Sequence, residues 1–175
     1  MASQKNEKWS HRFIIAAIIQ SIFAAIWTIP IVLPWIKPSV AMVIAAGSAG
    51  TWFTVGYILY IIVGVLGNAA IGLIYQHFET VEGKVVSGVS NALAWLQLIL
   101  FNFGVMASTW ALMIAGYFGE ADLLPPAVGG KGLTEGQVHV LLLSHFIDPV
   151  GAFVIIAVLG VIIGAIAFFT ISLKE

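Results

Sequence analysis

Two side chains near the start of the last apolar run have types and spacing that could do chemistry together. His145 and Asp148 are three residues apart, so a helix puts them on one face. A carboxylate beside an imidazole orients the ring and raises its basicity, which is how many histidines are prepared to hold a metal. Glu135 and His139 precede them by one to three turns, and such residues suit copper or zinc. Two residues do not close a metal site, however. Asp148 also sits directly before Pro149, whose ring removes a helix hydrogen bond. Its carboxylate would serve the freed backbone, or pair with an arginine of another chain. That structural reading is the stronger one. His139, His145 and Asp148 are therefore assigned to a polar patch that meets a partner, with no metal ligand assigned.

The remaining candidates are weaker. His77 ends the second apolar run, whereas His139 and His145 lie at the far end of the fourth, and His11 precedes the first. No two of them reach matching depth on facing helices, as axial haem ligation requires. Met106 and Met113 are seven residues apart, and thioethers suit Cu(I), but methionine on an apolar helix is ordinarily a packing residue. The chain has no cysteine, so thiolate metal sites and cysteine nucleophiles are excluded. Nothing resembles a serine-hydrolase elbow or a zincin helix, and the loop PPAVGGKG lacks Walker spacing. No catalytic residue and no cofactor are assigned to this chain.

The elements that must position these groups are four long apolar runs. Of the 175 residues, 61% are hydrophobic and 9% charged, with a mean hydropathy of +1.06, too much apolar surface for a water-soluble domain to hide. A spanning helix needs roughly 20 apolar residues. The expected fold is an all-α membrane bundle of four transmembrane helices in a single domain, with spans at about 13–36, 51–76, 89–117 and 138–172. Residues 39–47 are expected to form a short interfacial or re-entrant helix. Pro34 should finish span one, and Gly119 should stop span three. Thr134 and Gln137 form a capping box that starts helix four near Glu135, and Pro149 should kink it. The first apolar run is longer than the core of a signal peptide, so it is read as a retained span.

Charge sets the orientation. Lys5, Lys8, Arg12, Lys84 and Lys174 fall on one side, against Lys37 and Lys131 on the other. The positive-inside rule then places both termini in the cytoplasm of a multi-pass cell-membrane protein. A net charge of −1 gives no support for nucleic-acid binding.

Small residues mark the packing faces. Gly56, Tyr60, Gly64, Asn68 and Gly72 recur every four residues on span two, and Gly160 and Gly164 form a GxxxG on span four. Such faces let helices approach closely, and Asn68 can bond across to a neighbour. No span carries an ionisable group at its middle, which argues against transport driven by buried charge. Asn68, Gln97 and Asn102 are the neutral polar groups read at depth. In a different class of function they would line the pore of a small homo-oligomeric transporter or channel. A third reading is a quinone or lipid pocket built on Trp95, Phe103 and Trp110.

The stretch GYILYIIVGVLGNAAIGLIYQHFE, residues 56–79, is similar to small four-span accessory subunits of archaeal respiratory and monooxygenase complexes. It most resembles an auxiliary subunit of archaeal ammonia monooxygenase, a copper enzyme of the particulate methane monooxygenase superfamily. The resemblance covers about one span and its exit. It implies a non-catalytic accessory subunit within a multi-subunit membrane oxidoreductase, with other integral membrane subunits as partners and copper carried by them. The copper-ligand sets of that family's catalytic subunits are not present in this chain. A small subunit of an archaeal haem–copper terminal oxidase is nearly as good a match.

Overall fold

The computed structural model describes residues 8–173. Lys5 and Lys174, both counted in the charge balance, lie outside the described residues. The described chain is all-helical, with no strand. Its elements are α1 (Trp9–Val32), α2 (Val40–Ala46), α3 (Gly50–Val81), α4 (Val89–Leu123) and α5 (Glu135–Ser172). All but α2 are long and apolar enough to cross a membrane. The side holding the start of α1 and the end of α5 is called the termini side below.

Several boundaries differ from those expected, each for a physical reason. The first apolar run starts at Phe13, but α1 begins at Trp9. Lys8 offers no side-chain cap there. Glu79 of α3 supplies one instead, accepting from Trp9 N at 2.6 Å, Ser10 N at 3.2 Å and Ser10 Oγ at 2.8 Å. A carboxylate at a helix N-terminus satisfies orphan N–H groups and meets the positive end of the dipole. The helix ends at Val32 because Leu33 precedes Pro34 and takes extended dihedrals, with ψ at 120°.

Span two was expected to end at Gln76, but α3 continues to Val81. Wider π-type turns occupy Tyr60–Leu66 and His77–Val81. The second of these holds Glu79, whose carboxylate caps α1. Gly83 then takes a φ of +67°, and Lys84 N bonds back to Phe78 O. Gly119 does not stop α4. A Cβ there would stand 3.0 Å from Ala49 and from Leu143, so the glycine marks close packing inside a helix that runs on to Leu123. The stop comes at Leu124, held extended before Pro125. On α5 the capping box of Thr134 and Gln137 is formed as drawn from the sequence. The helix carries on through Pro149 to Ser172, with a wider turn earlier, at His139–Leu143. Residues 40–46 form α2, capped by Ser39 Oγ accepting from Met42 N.

Packing places α3 between α1 and α4, while α5 rests on α4 and α1 barely touches α4. Near the termini side the core holds Trp9, Phe13, Tyr75, Ala94 and Ile171. At the opposite end Val40 of α2 packs with Phe53 and Met113. The glycines of span two serve two neighbours: Gly56 meets Thr109 of α4, and Gly72 meets Ser10 and Ile14 of α1. Gly64 lies against Tyr60 and Val105. Gly160 and Gly164 both face α4, against Phe101 and Gln97.

The cap on α1 gives a first prediction. Glu79→Ala removes three acceptor contacts at one helix end and should cost about 1–2 kcal/mol. Glu79→Gln keeps one acceptor oxygen and should cost less. Thermal unfolding in mild detergent, followed by helical circular dichroism, measures both. Equal loss from the two variants would contradict the capping role.

Candidate functional site

The polar patch expected on α5 divides into two places. Glu135 and His139, one turn apart, line a shallow pocket of about 300 Å³ with Ser48, Trp52 and Leu143. Ser48 Oγ donates to Glu135 Oε1 at 3.3 Å across that pocket. His145 and Asp148 lie farther along α5 and are exposed on its outer surface. Within the described residues Asp148 has no hydrogen bond or ion pair. Among the described residues the one hydrogen bond of His145 is with Ser144, Nδ1 to Oγ at 3.5 Å. Asp148 therefore does not serve the backbone freed by Pro149, which corrects one of the two structural roles offered for it. No group of three or more His, Asp or Glu residues comes together among the described residues.

The depth of Asp148 follows from the antiparallel pairing of α4 and α5. Gly160 meets Phe101, and Gly104 meets Ala157. By the same register Asp148 lies level with about Met113, near the outer core formed with Phe53. Taking Asn102 as mid-span, that is roughly 16 Å towards the side opposite the termini, at 1.5 Å per residue. The half-thickness of the hydrocarbon is about 15 Å. The carboxylate thus stands at the edge of the apolar layer, on a helix whose spanning part is only 17% buried.

A second polar arrangement lies at the middle of the bundle. Asn68 and Asn102 form a reciprocal amide pair: Asn68 Nδ2 donates to Asn102 Oδ1 at 2.9 Å, and Asn102 Nδ2 donates to Asn68 Oδ1 at 3.0 Å. Gln20 Nε2 donates to the same Asn102 Oδ1 at 2.9 Å. The Tyr60 hydroxyl donates to Gln20 Oε1. Spare amide protons go to backbone carbonyls one turn back, Asn68 to Gly64 O and Asn102 to Leu98 O. Gln97 stands apart from this network and accepts from the Tyr75 hydroxyl at 2.8 Å. Gln20, Asn68 and Asn102 tie α1, α3 and α4 together at mid-depth, and Gln97 is not part of that junction.

Some functional side chains were not singled out from the sequence. Gln20 is the only amide within span one, and that isolation was the available signal. Glu120 lies beyond Tyr117, where the apolar pattern of span three stops; it is buried and accepts from Gly50 N at 3.1 Å, capping α3 where Ala49 cannot.

The other candidates are kept apart. His77 pairs with Glu82 at 3.0 Å on the termini side. His11, also on that side, is exposed. Met113 is buried in the opposite core, while Met106 lines a groove between α1 and α4. Trp95 lines that same groove, Phe103 faces Phe153, and Trp110 sits among Phe23, Trp27 and Tyr60, so those three aromatics form no common pocket.

No protein-family model, curated protein or solved structure matches the chain.

Proposed function

We propose that this chain is a non-catalytic accessory subunit of a multi-subunit membrane oxidoreductase, with archaeal ammonia monooxygenase as the complex its second span most resembles. It sits in the cell membrane with both termini in the cytoplasm, and copper is carried by the partner subunits. The observation that supports this best is Asp148. An ionisable group is costly at the centre of the apolar layer and much less so at its edge, where it is well placed to meet a polar or basic group of another chain. Here it shares an exposed surface with His145 and has no partner among the described residues of its own chain. A basic or amide side chain of a neighbouring subunit would satisfy both. The packing of α5 agrees with this, since the helix rests on α4 and leaves most of its surface to lipid or to another protein.

The experiment is co-purification from native membranes. The unmodified chain should migrate with copper monooxygenase subunits, and identification of the band by mass spectrometry names the complex. Haem–copper oxidase subunits in that band would transfer the same role to that enzyme. The double variant His145→Leu/Asp148→Asn should reduce recovery of partners about tenfold or more, because losing one side of a desolvated charged contact costs about 2–5 kcal/mol. Its own helical content and melting should stay unchanged, since neither side chain braces the bundle. Full assembly of the double variant, or migration of the unmodified chain alone, would remove the proposal.

A further inference from the structure

Because α1 and α4 both pack on α3 but hardly on each other, a groove of about 440 Å³ lies between them. Ile15, Ile19 and Phe23 line one wall, and Trp95, Ile99 and Met106 the other. Ile15, Ile19, Trp95 and Ile99 are each more than 40% exposed, so the groove opens sideways, towards lipid. It runs roughly 16 Å along α4, from Trp95 to Met106, at 1.5 Å per residue. A helix about 10 Å across would fill roughly 1,200 Å³ over that length. The groove therefore fits a slender molecule and not the helix of a partner.

Gln20 and Asn102 reach this groove at mid-depth. Each amide of the mid-bundle junction has two N–H protons to place. Asn102 gives one to Asn68 Oδ1 and one to Leu98 O. Asn68 gives one to Asn102 Oδ1 and one to Gly64 O. Gln20 gives one to Asn102 Oδ1, while its carbonyl oxygen accepts from the Tyr60 hydroxyl. The second Gln20 proton has no acceptor among the described residues. Gln20 is 5% exposed and lies in a layer without water, where an unmet N–H is costly. The junction thus leaves one donor, and it belongs to a residue that lines the groove. A mostly apolar cavity with one placed polar group is the usual form of a small-molecule site.

The acceptor must dissolve in hydrocarbon and carry its oxygen at the middle of the layer. An ester lipid fails the second condition, because its carbonyls lie at the polar boundary, about 15 Å away. A quinone meets both, with carbonyl oxygens on an uncharged flat ring and an apolar tail. We propose that the groove between α1 and α4 binds one molecule of the quinone class. A ring carbonyl accepts from Gln20 Nε2, and the tail lies against Ile19, Ile15 and Trp95 towards the termini side. Phe23 and Met106, one turn to the other side of the amides, offer the ring an aromatic face and a thioether. Of the three aromatics first considered for such a pocket, only Trp95 takes part. Neither His145 nor Asp148 is involved, so the site does not depend on which complex the chain joins.

The test is a titration of the full chain in mild detergent with decylubiquinone, followed by quenching of tryptophan fluorescence. Quenching should saturate at one molecule per chain, and an equal concentration of hexadecane should not reverse it. Gln20→Glu, uncharged at that depth, keeps an oxygen for Tyr60 and an O–H for Asn102 but has no second proton. It should weaken binding about three- to tenfold, with melting close to that of the unmodified chain. Ile99→Phe, which narrows the groove from an exposed position, should weaken binding at least as much. Quenching that never saturates, or unchanged affinity in Gln20→Glu, would overturn the proposal. So would reversal by hexadecane, which would leave a groove for hydrocarbon alone. If Gln20→Glu fails to fold, Ile99→Phe carries the test, and unchanged affinity there also overturns it.

Discussion

Replacing Gly160 by alanine is expected to cost the protein about 1–3 kcal/mol of stability, while the same change at Gly151, on the same helix, should cost nothing measurable. A Cβ at Gly160 would stand 2.5 Å from Phe101 N and 2.8 Å from Phe101 Cα. These are backbone atoms of α4, which cannot swing aside as a side-chain tip would. Either α5 lifts from α4 or both helices shift, and close contact is lost along the interface. In a bilayer this matters more than in water. Lipid is as apolar as the helix surface, so association relies on backbone approach and packing. Gly151 has no heavy atom within 4 Å of its added Cβ. Alanine there improves helix propensity and should be neutral or slightly stabilising. The check is equilibrium unfolding in mixed detergent for both variants. Similar losses at both positions would mean that α5 is not held through its glycines.

What could be read from the sequence, and what could not, divides along local and distant causes. The four spans were legible because a hydrocarbon slab demands about 20 apolar residues each time. The start of α5 was legible because Thr134 and Gln137 cap it from within four residues of chain. The start of α1 was not, because Glu79 acts on Trp9 from 70 residues away; the start of α3 was legible to within a residue, but its cap by Glu120, also 70 residues away, was not. Nothing in the local pattern marks either carboxylate as a cap. Gly119 misled for a related reason: a glycine that ends a helix and one that admits a neighbouring helix look alike until the neighbour is known. The placement of His145 and Asp148 on one face needed only their spacing. The exposure of Asp148 was also within reach. At about 100° per residue, Asp148 is turned roughly 120–160° from the packing positions Gly160 and Gly164. The pairing of the mid-span amides was out of reach, because it depends on the relative heights of three helices.

Asn102→Leu is the second substitution with a large expected effect, about 2–4 kcal/mol of lost stability. Asn102 is the hub of the mid-bundle network, accepting from Gln20 and Asn68 and donating back to Asn68. Leucine is nearly the same size, so the loss is chiefly electrostatic. It strands the Gln20 amide protons and the Asn68 carbonyl in a layer without water, each an unsatisfied group worth about 1–3 kcal/mol. Direct measurements in membranes put single interhelical bonds lower, averaging about 0.6 kcal/mol, because the separated helices also find partners. The sum over a three-way junction stays large for that reason only if the groups act together. A double-mutant cycle tests this. Asn68→Leu added to Asn102→Leu should cost clearly less than the two single losses combined, since it removes a partner already stranded, with a coupling of about 1–2 kcal/mol. Additive losses would mean that the amides act separately. The same variants weigh an accessory role against a conducting one. In a pore, amides face a water-filled path, so leucine would block flux of a small neutral solute and leave stability intact. In a brace, liposomes containing the unmodified chain pass no solute, and leucine acts on unfolding alone. Gln20, Asn68 and Asn102 are hydrogen-bonded to one another, so these two sets of outcomes are what separates the readings.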